Sequence, residues 1–331
     1  MHKRERLERA IAGDKVDRVP VSLWRHWPGD DQRYADLARS IIDFQHDYNW
    51  DFVRVMPSSN FQVMDYGAQD EWRGNQQGIR EINRHIIRRS LDWTKIRALS
   101  PDRGILSQQL ECMRMICKAM LSDGVPIVHT IYSPFAQAVR LGGKQQVFKH
   151  MRTDASRLRS GLNLLTESTL RFIEALWQIP NVAGIFYVTE FASHELMSAA
   201  EYDSLVMPYH LKILESLPER WWLNAVQVQG LSPMLDLFGR LPVQVINCNT
   251  RQSESDLLYA KRAFPGAVSG GLEDWQDLHQ GTPALLGPVI REALSQSESR
   301  RFILSGCGAG YVTTPISNIR AVRSLVESLA F

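Results

Sequence analysis

At 331 residues, with 44% hydrophobic and 22% charged side chains, the chain carries enough apolar material for a sizeable soluble core. A formal net charge of +2, from 38 basic against 36 acidic residues, gives no bulk field toward nucleic acid or a membrane. No apolar run reaches the roughly 18 residues of a membrane span.

Residues 4–12 have helical spacing and end at Gly13, where a helix-terminating glycine belongs. The start, MHKRERLERAIAGDK, is charged and amphipathic with no signal-peptide core, which points to a cytoplasmic protein. Four scattered cysteines, Cys112, Cys117, Cys248 and Cys307, exclude a disulfide framework. The first apolar run is Val19–Leu23, with Pro20 tolerable at a strand's beginning. A helix is expected over 31–47 and a second run at Phe52–Val55. Residues 61–95 break the rhythm with Gly67, Gly74 and Gly78 and a short alternation, REINRHII, which predicts an inserted hairpin. A helix over 107–120 leads to the third run, Val125–Ile131. Residues 144–177, read as two helices, lead to the fourth, Val182–Tyr187.

A helix over Ser198–Leu217 opens with a Ser198/Glu201 capping box. The runs Trp222–Val228, Val243–Ile246, Ala267–Gly270 and Phe302–Ser305 follow, and a last helix is expected from Thr314–Pro315. Eight strand-then-helix units in one chain predict an α/β fold: a single (β/α)8 TIM barrel over 1–331 with an inserted hairpin after strand 2. Chemistry in such barrels sits at the C-terminal ends of the strands. Those ends supply Trp24-Arg25-His26, Met56-Pro57-Ser58, Tyr132-Ser133-Pro134, Thr189-Glu190, Gln227-Val228-Gln229-Gly230, Asn247-Cys248-Asn249, Gly270-Gly271-Leu272-Glu273 and Ser305-Gly306-Cys307-Gly308.

Four stretches in the right order resemble the uroporphyrinogen decarboxylase family over nearly the whole chain. They are LERAIAGDKVDRVPVSLWR, HTIYSPFAQAVRLGG, SAAEYDSLVMPYHLKIL and FILSGCGAGYVTTPISNIRAVRSLV. In the decarboxylases of that family the resemblance implies an arginine pair after strand one, an aspartate after strand two, a tyrosine after strand three and a histidine in the last glycine-rich turn. Here Arg25 matches the first arginine, nothing between Arg54 and Asn60 is acidic, Arg140 lies near the tyrosine's place, and Cys307 stands for the histidine. Without the aspartate no fixed anion stabilises a protonated pyrrole.

The corrinoid-dependent methyltransferases of the family resemble the chain more closely around Gly270-Gly271 and Ser305-Gly306-Cys307. That likeness implies zinc held by a His-x-Cys after strand five and a cysteine after strand eight. Cys307 fits the last ligand, but Gln227 and Gln229 occupy the other two places, and amides are poor zinc ligands beside imidazole and thiolate. No metal ligand is therefore assigned; a different site from Glu190, His194, Cys248 and Cys307 is left open.

The candidate catalytic residues are Cys307, Glu190 and His26. The candidate substrate-binding residues are Arg25, Gln227, Gln229, Tyr132, Arg140, Cys248, Gly270 and Gly271. Glu190 and His194 would stand one turn apart if their loop opened a helix, and His129 faces either the barrel or the helices. Cys112 and Cys117 read as core. The expected function is methyl transfer, or a related reaction, on a small anionic or corrinoid-borne substrate. Cofactor-free decarboxylation of a carboxylated tetrapyrrole is the alternative, and non-catalytic binding of a tetrapyrrole or corrinoid-type ligand the third. A corrinoid protein and a second copy of the chain, as a homodimer, stand as candidate partners.

Overall fold

The structure, a computed structural model, describes residues 1–252 and 255–329. Seven staves, Val53–Val55, Ile127–Tyr132, Val182–Thr189, Ala225–Val228, Val245–Asn247, Ala267–Gly271 and Phe302–Ser305, run parallel and neighbour one another in chain order. The sheet curls until its two edges face each other, and the first run lies between them. Leu304 N–H donates to Pro20 O at 2.8 Å and Ser22 N–H to Leu304 O at 3.1 Å. On the other side Asp51 N–H donates to Val21 O at 3.0 Å and Ser22 Oγ to Phe52 O at 2.8 Å. The expected first stave is thus a bridge at Val21 rather than a full strand. Pro20 cannot donate to the ladder, which shortens it to this minimum.

Asp51, fully enclosed, holds this closure together. Its carboxylate accepts from Arg18 at 2.6 and 3.0 Å, from Arg6 at 2.8 Å and from Val21 N–H at 2.8 Å. The first helix, Lys3–Ala12, is pinned to the barrel floor through Arg6, which also pairs with Asp17. Removing one charge from such a cluster strands its partners. Asp51→Asn should therefore lower unfolding free energy by about 3–5 kcal/mol, read from denaturant titrations. A change under about 1 kcal/mol would mean the cluster is replaceable by solvent.

After the second stave, Gln69–Glu71 and Glu81–Arg84 pair antiparallel as a hairpin. Its turn lies over the first and eighth staves: Val312 N–H donates to Gln76 O at 2.8 Å. Gly78 has φ +74°, and a Cβ there would fall 2.8 Å from His26 Cβ. Glycine is required at that position.

Helices flank the sheet as their apolar spacing dictates, with Cys112 and Cys117 buried in Gly104–Ala119. Lys144–Thr153 and Ala155–Trp177 are two helices, as their pattern implies. Two helix expectations need correction. Ser198–Leu217 divides into Ala199–Leu205 and Met207–Leu214. Pro208 lacks the N–H and crowds the preceding turn, so the helix restarts there. The last helix, Ile316–Ser328, begins after Pro315, and Thr314 Oγ1 is buried without a partner rather than capping it. Among the described residues no helix is long and apolar enough to cross a membrane.

Candidate active site at the barrel mouth

The pleat sets which side chains enter the barrel. In-register pairs Val188–Gln227, Gln227–Asn247 and Asn247–Ser269 place these residues side by side, facing inward. Gln227 is buried and its amide is fully engaged: Oε1 accepts from Arg54 at 3.1 Å, and Nε2 donates to Asn247 Oδ1 and to Cys307 O, both at 2.9 Å. Asn247 continues the chain to Ser269 O and Gly306 O, each at 3.0 Å, and Ser269 Oγ lies 2.7 Å from Ser305 Oγ. This network ties the fifth to eighth staves together immediately below Cys307.

Cys307 Sγ–H donates to Asp274 Oδ2 at 3.2 Å, and Gly308 N–H donates to the same oxygen at 2.7 Å. Burial raises the pKa of Asp274 above the ordinary carboxylate range. Burial first, and the neighbouring Asp274 second, push the Cys307 thiol well above its usual value. The thiol rests protonated and hydrogen-bonded. Asp274 opens a π-helical turn, Asp274–His279, which brings its carboxylate back over the eighth stave. A Cβ at Gly306 would lie 2.3 Å from Asp274 Oδ1, so only glycine admits the contact.

Opposite, Arg140 and Glu190 form a two-pronged pair at 2.8 and 2.9 Å, and the Arg140 guanidinium sits 4.2 Å from the Tyr132 ring centroid. Both Glu190 oxygens are thereby engaged, so Glu190 orients Arg140. Tyr132 is enclosed, and burial pushes its hydroxyl up to about 12. His26 is enclosed too, with Nδ1 3.2 Å from Pro57 O. Burial, then Arg54, hold its pKa down at about 4, so it rests neutral. It can accept a hydrogen bond but takes no proton at neutral pH.

Several sequence-derived assignments are not brought into the mouth. Arg25 donates from Nη1 to Val312 O at 3.0 Å and lies 4.1 Å over the Trp27 ring, fastening the loop after the eighth stave. Its Nε, with Gln45 Oε1 and Trp50 Nε1, is unpaired beside a cavity of about 20 Å³ against the helix Tyr34–Tyr48. Cys248 follows the inward Asn247, so the pleat turns it away. It is fully enclosed with its thiol raised to about 12. Gly270 packs on Thr250, and Gly271, at φ +97°, on Phe302 and Leu304. They serve close packing between staves. Gln229 is half-buried at the rim. No helix forms at Glu190: Phe191 has φ +70° and His194 is exposed. His129 faces outward, between Phe61 and Phe172.

Two residues missed by the sequence reading dominate the site, Asp274 and Arg54. Arg54 is 4% exposed in the middle of the second stave. It donates to Thr130 Oγ1 and Gln227 Oε1, both at 3.1 Å, and lies 3.8 Å from the Phe186 ring centroid. Above Asp274, the rings of Trp275, His279 and Tyr311 cluster at centroid distances of 4.7–5.2 Å and are half-buried at the rim.

A zinc ion does not fit these residues. The carbonyl oxygen of Gln227 already faces a guanidinium, a position where a second cation is repelled. Among the described residues no group of three or more His, Cys, Asp or Glu converges.

A mouth of this composition on a ring of parallel staves defines a (β/α)8-barrel enzyme. The chain belongs to the uroporphyrinogen decarboxylase (URO-D) family, whose model matches residues 69–329. It is 22% identical to the methylcobamide:CoM methyltransferase MtbA of Methanosarcina acetivorans, over 96% of this chain and 95% of that protein. The MtbA of Methanosarcina mazei matches with the same figures. Among solved structures, a methyltransferase from Methanosarcina mazei superposes with a TM-score of 0.87 at 17% identity, covering 99% of both chains, which supports the shared fold.

Proposed function

We propose that this barrel transfers a methyl group from a corrinoid-borne donor to a small nucleophile, with Asp274 taking the nucleophile's proton. The observation that carries this is the buried Asp274 carboxylate, held by Cys307 Sγ–H and Gly308 N–H at the end of the eighth stave. A carboxylate whose pKa is raised by burial is a stronger base than an exposed one. The acceptor's X–H bond gives its proton to Asp274 while its electron pair forms the new X–CH3 bond. The old bond from the methyl carbon breaks, and its pair leaves with the donor. A corrinoid supplies a transferable methyl group. The ring cluster of Trp275, His279 and Tyr311 offers it an aromatic surface near Asp274, and a corrinoid protein is the natural carrier. Cys307 keeps Asp274 oriented, and Tyr132 and the Arg140–Glu190 pair wall the acceptor off from water. The MtbA relatives, named for methylcobamide and CoM, support the reading.

The test is incubation of the purified chain with methylcobalamin and coenzyme M, following demethylation by absorbance and the methylated thiol by mass. Saturable turnover supports the proposal. Carbon dioxide release from uroporphyrinogen, with no methyl transfer to any thiol, would replace it by decarboxylation. Tight corrin binding with neither reaction would leave a binding protein.

A further inference from the structure

The floor of the barrel, at the end opposite the mouth, presents two open grooves of about 660 and 670 Å³. One runs beneath the starts of the third and fourth staves, between Leu121, Asn181 and Trp222. The other lies along the end of the helix Ala155–Trp177, between Leu170, Ile173, Trp177 and Leu217. Glu219 and Arg220 bound both, so these two residues form a ridge between the grooves. Trp177 is 41% and Leu121 63% exposed. Large apolar side chains gathered beside open grooves mark an interaction surface.

A guanidinium covers each tryptophan of this face. Arg4 lies 5.3 Å from the Trp222 ring centroid, and Arg220 lies 5.4 Å from that of Trp177. Arg4 is already paired with Glu8. Arg220 donates from Nη2 to Trp177 O, and among the described residues no carboxylate lies within ion-pair distance of it. Glu174 and Glu219, which line the same groove, have no cation within that distance among the described residues. Charges of both signs thus stand side by side on the floor, unpaired within the chain. Tryptophan and arginine are also the side chains that carry most binding energy at protein interfaces. Here the stacking holds each in place before any partner arrives.

We infer that this floor is where two copies of the chain meet about a two-fold axis. In such a pair the same patch serves both subunits, so every contact occurs twice. A ridge beside a groove is the shape this symmetry asks for: the Glu219–Arg220 ridge of each copy enters the helix-side groove of the other. Arg220 then reaches Glu174 of the second copy, and both Trp177 rings lose their exposure to water. A cation and an anion, each alone in the single chain, become two reciprocal ion pairs. A patch carrying both signs favours a second copy over a partner of uniform charge. The two mouths then point away from each other, and the inference holds whichever reaction the barrel performs.

The experiment is sedimentation equilibrium of the full chain over a range of concentrations. The parent should approach twice 37.8 kDa as concentration rises. Trp177→Asp should weaken self-association about 100-fold or more, because a tryptophan anchor is lost once from each copy. Arg220→Glu should weaken it as well, by setting like charges against Glu174 of the other copy. Combining Arg220→Glu with Glu174→Arg should restore it. All three side chains are exposed in the single chain, so the diluted variants should match the diluted parent in circular dichroism and unfolding midpoint. If Trp177→Asp does not accumulate, Arg220→Glu and the charge-swapped pair carry the test. A parent that stays at 37.8 kDa at every concentration would overturn the inference. So would dimers as tight as the parent's in Trp177→Asp or Arg220→Glu, or a charge-swapped pair no tighter than Arg220→Glu alone. Methyl-transfer activity does not enter the readout, so failure of the proposed reaction and failure of the interface are distinguished.

Discussion

Asp274→Asn should lower methyl transfer by about 100-fold or more, the usual contribution of a positioned general base. Asparagine keeps the shape of the carboxyl group and can still accept from Gly308 N–H, now at 2.7 Å, but it takes no proton. Its cost should therefore fall on kcat, with ligand affinity changed only a few-fold. Cys307→Ser retains a donor toward Asp274 and should cost less than about 10-fold, since one neutral hydrogen bond contributes about 1 kcal/mol. The pH profile adds a second check. Because burial raises the Asp274 pKa, the acid limb of the rate should lie above the ordinary carboxylate range, with activity rising as pH rises through it. Asp274→Asn should remove that limb. Turnover within threefold of the parent, with the limb intact, would show that the base is elsewhere.

The staves were legible because each is a short apolar run closed by a turn, and periodicity reads such runs directly. What it could not read was the local veto of single prolines. Pro20 reduces the first stave to a bridge, and Pro208 divides a helix whose apolar spacing is otherwise continuous. The site was legible only in part, for a related reason. Strand ends can be found by counting, but inward and outward faces follow from the pleat, and the register was not fixed by sequence. Cys248 stands one residue beyond the inward Asn247 and therefore points away, while Gln227, expected to bind substrate, faces inward with its amide committed to Arg54, Asn247 and the Cys307 carbonyl. Arg54 left a signal: a charge in the middle of a stave that is otherwise apolar. Asp274 left almost none. It lies three residues beyond the paired glycines, and only the π-helical turn folds it back over Cys307.

Stability should fall steeply as pH drops from about 6.5 toward 4, because burial disfavours the charged form of four histidines, His150 among them. Desolvation by burial holds His26 and His129 at about 4 and His210 at about 3. His210 is locked between the hydroxyls of Tyr187 and Tyr202, at 2.9 and 2.7 Å. In the unfolded chain each imidazole binds a proton below about 6.5, whereas in the fold it binds none until its lower pKa is reached. The unfolded state thus holds more protons throughout this window, and stability rises with pH. Each of His26, His129 and His210 contributes a slope of about 1.4 kcal/mol per pH unit, and the three together about 4. Asp17, whose pKa Arg6 holds well below the usual value, acts in the same direction but only below about 4. Asp31 and Asp274, raised by burial, oppose the trend as they take up protons near the acid end of the window. Against a typical total of about 5–15 kcal/mol, the loss of about 6 kcal/mol by pH 5 is a large share of the stability. Denaturant titrations from pH 7 to 5 measure it. His129 isolates one share: its ring packs edge-on against Phe61 and Phe172 with Nε2 unpaired, so phenylalanine fits the same place at the loss of the Nδ1 contact with Thr130 O at 2.8 Å. His129→Phe should therefore keep most of the stability at pH 7 and flatten the slope by about a third. An unchanged slope would mean that His129 takes up its proton within the folded state, and that its burial is not what opposes the charge.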